Sequence, residues 1–77
     1  MKLWILSQDS EAIHQATTCF YSSSGNMHTL KIKNSGNIAE MVGKYSSKKR
    51  CLELISEISQ KLLRAKTDNV IFKMPKD

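Results

Sequence analysis

The densest group of chemistry-bearing side chains in this 77-residue sequence is Ser46-Ser47-Lys48-Lys49-Arg50, two hydroxyls followed by three cations. At the start of a helix it would combine free backbone N–H groups, hydroxyl donors and positive charge, which suits a phosphate or carboxylate. Tyr45 precedes it directly. A serine is expected at a helix start for another reason, since its oxygen accepts an unpaired N–H of the first turn. The cations are not expected, because the positive end of the helix dipole opposes each by ~0.3–1 kcal/mol. A plainer reading competes: solvated side chains, with Lys49 and Arg50 partly offset by Glu53 one turn on.

A second basic group is Lys31 and Lys33, which alternation places on one side of a strand together with Thr29. With the helix start they would form a positive surface able to follow a nucleic-acid backbone. Single-strand binders usually add stacking aromatics. Aromatics make up only 6% of the chain, and Trp4, Phe20 and Phe72 are more useful in a core. Solvated lysines that discourage edge pairing are the competing explanation.

Other chemistries find little support. His14, Cys19, His28 and Cys51 match no zinc spacing, lacking a Cys-x-x-Cys or His-x-x-x-His pair, so no metal is expected. Cys19 has no recognisable nucleophile context with either histidine. Glu53 and Glu57 fall on the polar side of a helix, where Lys49 and Lys61 would pair with them. Gly25, Gly36 and Gly43 are scattered and form no phosphate loop. The expectation is a protein without enzymatic activity or cofactor.

The element that must position these groups is a helix over Ser47 to Lys66. Cys51, Leu54, Ile55, Ile58, Leu62 and Ala65 share one face at the 3.6-residue period, and Glu53, Glu57, Gln60, Lys61 and Arg64 share the other. Leu3 to Leu6 is an apolar run too short for a helix and reads as a strand buried on both faces. Residues 12–21 are rich in β-branched and aromatic types, and Met27 to Lys33 alternates, with His28, Leu30 and Ile32 facing one way. A hairpin loop of four or five residues around Ser22 to Asn26 would join them, and Asn34 to Asn37 forms a second turn. Ile38 to Tyr45 fits a helical stripe or a strand; Gly43 and its brevity favour a strand. Val70 to Met74 is a last strand, stopped by Pro75 at a sheet edge. The fold class is α+β: a small antiparallel sheet of four to five strands with one long amphipathic helix packed on one face.

Residues 1–77 have the length of a single domain. A core this small leaves little net stability, so a second copy is a natural source of more. One helix covers one face of a sheet, and a dimer is expected, with Trp4, Met27 and Met41 at its interface. Twelve Lys and Arg against seven Asp and Glu give a formal charge of +5. That balance favours anionic partners: a nucleotide, an acidic host protein or nucleic acid. Met1-Lys2 and four apolar residues do not make a secretory leader, and no stretch has the length of a membrane span. The expectation is a cytoplasmic chain with reduced cysteines.

Three stretches, Trp4-Ile5-Leu6-Ser7-Gln8-Asp9, Gly43-Lys44-Tyr45-Ser46-Ser47 leading into Arg50, Glu53, Leu54 and Ile58, and Phe72-Lys73-Met74-Pro75, carry a resemblance. Together they resemble small proteins encoded by phages and prophages of low-GC Gram-positive bacteria. The middle hairpin lies outside the resemblance, and its motifs carry no known chemistry. What it implies is a phage accessory factor in the cytoplasm of a bacterial host that binds and sequesters or blocks a host component, with counter-defence as the role such binding would serve. The alternatives are a sequence-tolerant nucleic-acid-binding protein and a structural component of a phage assembly.

Overall fold

The computed structural model describes residues 2–76. Its order is β1 (Lys2–Leu6), β2 (Ile13–Ala16), β3 (Thr18–Ser24), β4 (Met27–Lys33), β5 (Ala39–Tyr45), α1 (Lys48–Leu63) and β6 (Asn69–Lys73). The class is α+β, but the expected single sheet is two sheets of three strands, β2-β1-β6 and β3-β4-β5. The division falls at Thr17, inside the segment expected to be one strand. Ala16 pairs with Leu3 of β1. The Thr17 N–H and hydroxyl instead donate to the Lys33 carbonyl, at 2.8 and 3.0 Å. The chain therefore leaves one sheet and enters the other across a single residue.

The first sheet is mixed. β1 runs antiparallel to β2 and parallel to β6, with Trp4 opposite Gln15 and Ile71. Pleating sends Leu3 and Ile5 inward with Ala16, Val70 and Phe72, and sends Trp4 and Leu6 outward with Ile13 and Ile71. β1 is thus covered on one face only, against the expectation of two. Ile5 is fully buried, whereas Ile13 and Ile71 are 52% and 56% exposed.

The second sheet is an antiparallel meander. β3 reaches Ser24, so its hairpin turns on two residues, Gly25 and Asn26, rather than the longer loop expected. Gly25 has φ 57°, a region that glycine enters at little cost. Between β4 and β5 the register slips after Leu30: Leu30 pairs with Gly43, and Lys31 with Met41. Val42 is the extra residue of this β-bulge, and it is buried to 2% exposure.

α1 lies against the inner face of this second sheet. Ser47 caps it, its Oγ accepting from the Arg50 N–H at 3.1 Å. The helix ends at Leu63, earlier than its periodicity suggested, with Ala65 and Lys66 beyond it. Cys51, Leu54 and Ile58 are buried together with Ile5, Leu30, Ile32, Val42, Tyr45 and Met74 in one cluster. Full burial of a side chain such as Leu54 or Ile58 is worth about 1.5–3 kcal/mol. That outweighs the ~0.3–1 kcal/mol by which the dipole opposes each cation of the first turn.

One junction between the two sheets gathers around Gln8. The Gln8 N–H donates to the Val42 carbonyl at 2.8 Å. Its side-chain amide accepts from the Lys44 N–H at 2.9 Å and donates to the Lys44 and Lys76 carbonyls at 3.0 and 2.6 Å. Beside it the Met74 N–H donates to the Leu6 carbonyl, and the Tyr45 hydroxyl donates to the Pro75 carbonyl at 2.8 Å. The Tyr45 ring folds back over Gly43, where a Cβ would lie 2.7 Å from ring atoms. Gly43→Ala is expected to cost about 1–3 kcal/mol through overpacking, read as a lowered urea midpoint. In a Tyr45→Ser background the same replacement should cost less, which a double-mutant cycle measures.

Candidate functional site

The outer face of the second sheet gathers positive charge. Inward-facing residues of its central strand are His28, Leu30 and Ile32, leaving Met27, Thr29, Lys31 and Lys33 outward. On β3 the outward set is Thr18, Phe20, Ser22 and Ser24, because Cys19 and Tyr21 pack toward the helix. On β5 the bulge resets the alternation, so that Ala39, Met41 and Lys44 point outward. Glu40 points inward and reaches His14 of β2, Oε2 to Nδ1 2.7 Å. Among the described residues, this face therefore carries Lys31, Lys33 and Lys44 and no carboxylate. Phe20 sits directly opposite Lys31, half-buried, with the Lys33 Nζ 5.9 Å from its ring centre.

Sequence reasoning located Lys31 and Lys33 on one face and assigned Phe20 to the core. Phe20 and Trp4 both lie on outer faces, and Phe72 alone of the three packs inward. Lys44 was missed. Plain alternation along β5 groups Glu40, Val42 and Lys44, and nothing in the residue types announces the bulge that separates them. Phe20 was readable in principle, since it alternates with Cys19 and Tyr21.

The helix start places its groups in different settings. Ser47 Oγ is occupied as the cap. Lys48 extends over the Tyr21 ring, Nζ to centre 5.5 Å, and that ring in turn bonds His28 Nδ1 through its hydroxyl at 2.8 Å. Arg50 runs along the helix to Glu53 and Glu57 at 3.6 and 3.5 Å, so Arg50, not Lys49 or Lys61, pairs with these carboxylates. Ser46 and Lys49 are exposed. The five residues are neighbours in sequence, but Lys48 and Arg50 turn toward different partners.

The residues expected at an oligomer interface also divide. Trp4 lies on the outer face of the first sheet, its indole N–H donating to Asn69 Oδ1 at 3.2 Å. Met27 and Met41, 45% and 46% exposed, lie on the lysine face of the second. Met74 is fully buried. Beside the helix, an open groove between the second half of α1 and β6 has Phe72 and Val70 on its floor and Lys61 and Arg64 on its rim. A more apolar one lies between Leu3, Cys19, Ile55 and Leu62.

Among the described residues, no group of three or more His, Cys, Asp or Glu is placed to hold a metal ion, and no helix is long and apolar enough to cross a membrane. Burial pushes the Cys19 thiol up to about 11 and raises that of the fully enclosed Cys51. The thiolate is the nucleophilic form, so neither sulfur is poised to attack near neutrality. Both are expected to react with a disulfide reagent at pH 8 far more slowly than a free thiol, and to reach that rate in denaturant. A fast-reacting thiol in the native protein would contradict this assignment.

Comparison with protein-family models, with curated proteins and with solved structures finds no match to this chain.

Proposed function

We propose that this protein acts by binding rather than by catalysis, and that it holds an anionic partner on the outer face of β3-β4-β5. The observation that carries this reading is the segregation of charge. Lys31, Lys33 and Lys44 share a face with hydroxyls, two methionines and Phe20, while Glu40 is turned inward to His14. Lys31 and Lys33, with no carboxylate on their face, keep their field for a partner, which raises encounter rates with anions, and Lys44 adds its charge from beside the groove it lines with Asp9. At the helix start, by contrast, Arg50 is drawn along the helix by Glu53 and Glu57. In keeping with the resemblance, the role we propose for such binding is that of a phage or prophage accessory protein that withholds an anionic host component.

The test compares two triple variants that lose the same charge. Lys31→Gln/Lys33→Gln/Lys44→Gln should elute from a polyanion column at clearly lower salt than Lys48→Gln/Lys49→Gln/Arg50→Gln. Equal elution, or the reverse order, removes the sheet face as the binding site.

A separate observation favours self-association. Trp4, Leu6, Ile13 and Ile71 form an apolar strip on the outer face of the first sheet, with Ile71 also at the margin of the groove beside α1. A second copy meeting this strip would remove it from water at ~25 cal/mol per Å² of apolar surface. In sedimentation equilibrium the wild-type chain should show a concentration-dependent mass, and Ile71→Lys should shift it to the monomer with an unchanged circular dichroism spectrum. A monomer at every concentration would end this part of the reading.

A further inference from the structure

We infer that the lysine face of β3-β4-β5 is a platform for single-stranded nucleic acid, with Phe20 as the stacking surface and the three lysines as its phosphate contacts. The inference rests on the anion-binding reading above and names the partner for that surface.

The arrangement of the cations comes first. Lys31 and Lys33 are two residues apart on β4, a step of ~6.8 Å along an antiparallel strand. Lys44 lies on β5 opposite Thr29, two residues before Lys31. The three lysine positions therefore succeed one another along the strand direction at a regular two-residue step, with Lys44 one strand to the side of Lys31 and Lys33, an interval comparable to that of successive phosphates in an extended single strand. An acidic protein surface imposes no such linear, periodic demand.

Phe20 is the second observation. It projects from β3 on the same face, alongside this row and opposite its middle member, Lys31. Its ring is half-buried, with the Lys33 Nζ 5.9 Å from its centre. A phenyl ring on an edge strand beside a line of cations matches how bases stack while the backbone is held by charge. Thr18 and Ser22 flank Phe20 on β3 and offer hydroxyls to base edges.

The shape of the surface is the third. Grooves open beside α1 and at the Ser7–Asp9 edge of β5; Lys44 lines the latter with Asp9 and Met41, while Phe20, Lys31 and Lys33 lie outside these linings. A lone nucleotide is usually recognised by enclosure in a cleft, which a sheet face does not provide. A duplex keeps its base faces stacked on one another and has none to offer Phe20. An unpaired strand has both exposed base faces and a regular line of charge.

Fluorescence anisotropy with short labelled oligothymidylate and oligouridylate tests this directly. Binding should weaken with salt at a slope of about −2 in log K against log salt, from three phosphate contacts at about 0.7 each. Each single change, Lys31→Gln, Lys33→Gln or Lys44→Gln, should flatten that slope by about 0.7. Phe20→Leu should reduce affinity about 5- to 150-fold, the usual range for losing one stacked base. Phe20→Trp should retain binding, and its new indole should be quenched by the oligonucleotide relative to a protein carrying Trp4 alone. Urea midpoints of all variants separate lost binding from lost folding.

If neither oligonucleotide binds at low salt, the inference is overturned. The column comparison above then still decides whether the face holds some other anion, an acidic protein included. If binding depends on the lysines but the Phe20→Trp indole is not quenched and Phe20→Leu binds normally, the stacking assignment is overturned.

Discussion

Two three-stranded sheets with different strand orders stay together over one shared apolar core, and a single glutamine fixes the junction at their corner. Gln8 leaves the end of β1 and lies against β5 as a short surrogate strand. Its main chain donates to Val42, and its side-chain amide exchanges hydrogen bonds with both polar groups of the Lys44 backbone. Only a primary amide can donate and accept in that geometry; a carboxylate would offer acceptors alone. Tyr45 completes the junction by reaching the Pro75 carbonyl across the top of Gly43. Burial holds the Tyr45 hydroxyl in its neutral donor form, its pKa pushed up to about 12. The serine-glutamine-aspartate, glycine-x-tyrosine and methionine-proline stretches, remote in sequence, thus meet in one corner of the molecule.

That junction also decides which faces remain free. With the helix packed on the inner side, each sheet keeps one outer face, and the two faces differ in character. The first sheet exposes Trp4, Ile13 and Ile71, an apolar strip; the second exposes lysines around Phe20. A chain with twelve cations and seven anions could have scattered them evenly. Instead acids concentrate where they have internal partners: Glu40 with His14, Glu53 and Glu57 with Arg50, and Asp9 with the Ser7 hydroxyl, which lowers its pKa. The cations of the second sheet's outer face are left to solvent or to a partner.

The helix start shows how a suggestive sequence loses its meaning in three dimensions. Serines and cations in succession look like an anion cradle. Yet residues two apart on a helix point about 200° apart, so Lys48 reaches the Tyr21 ring while Arg50 lies along the helix toward its acids. On a strand the opposite holds. Alternate residues share a face, and three lysines on two neighbouring strands come together because the register puts them there.

From the sequence alone, the helix and its apolar face, the serine cap, most strands and the orientation of Lys31 and Lys33 could be read, because each is written in local periodicity and capping chemistry. The α+β class followed from the order of those elements. The division into two sheets could not be read, because it depends on whether Thr17 bonds across to Lys33 or continues the pairing that Ala16 makes with Leu3, a choice between distant partners. The parallel pairing of β1 with β6 is likewise a long-range event. Most consequential is the bulge at Val42: one extra residue sends Lys44 outward beside Lys31 and Lys33 and Glu40 inward to His14, reversing what alternation alone would give for Lys44. Local residue types determine which segments can be strands. Which side chains share a surface is fixed by hydrogen-bond register between strands, and only the assembled sheets hold that register.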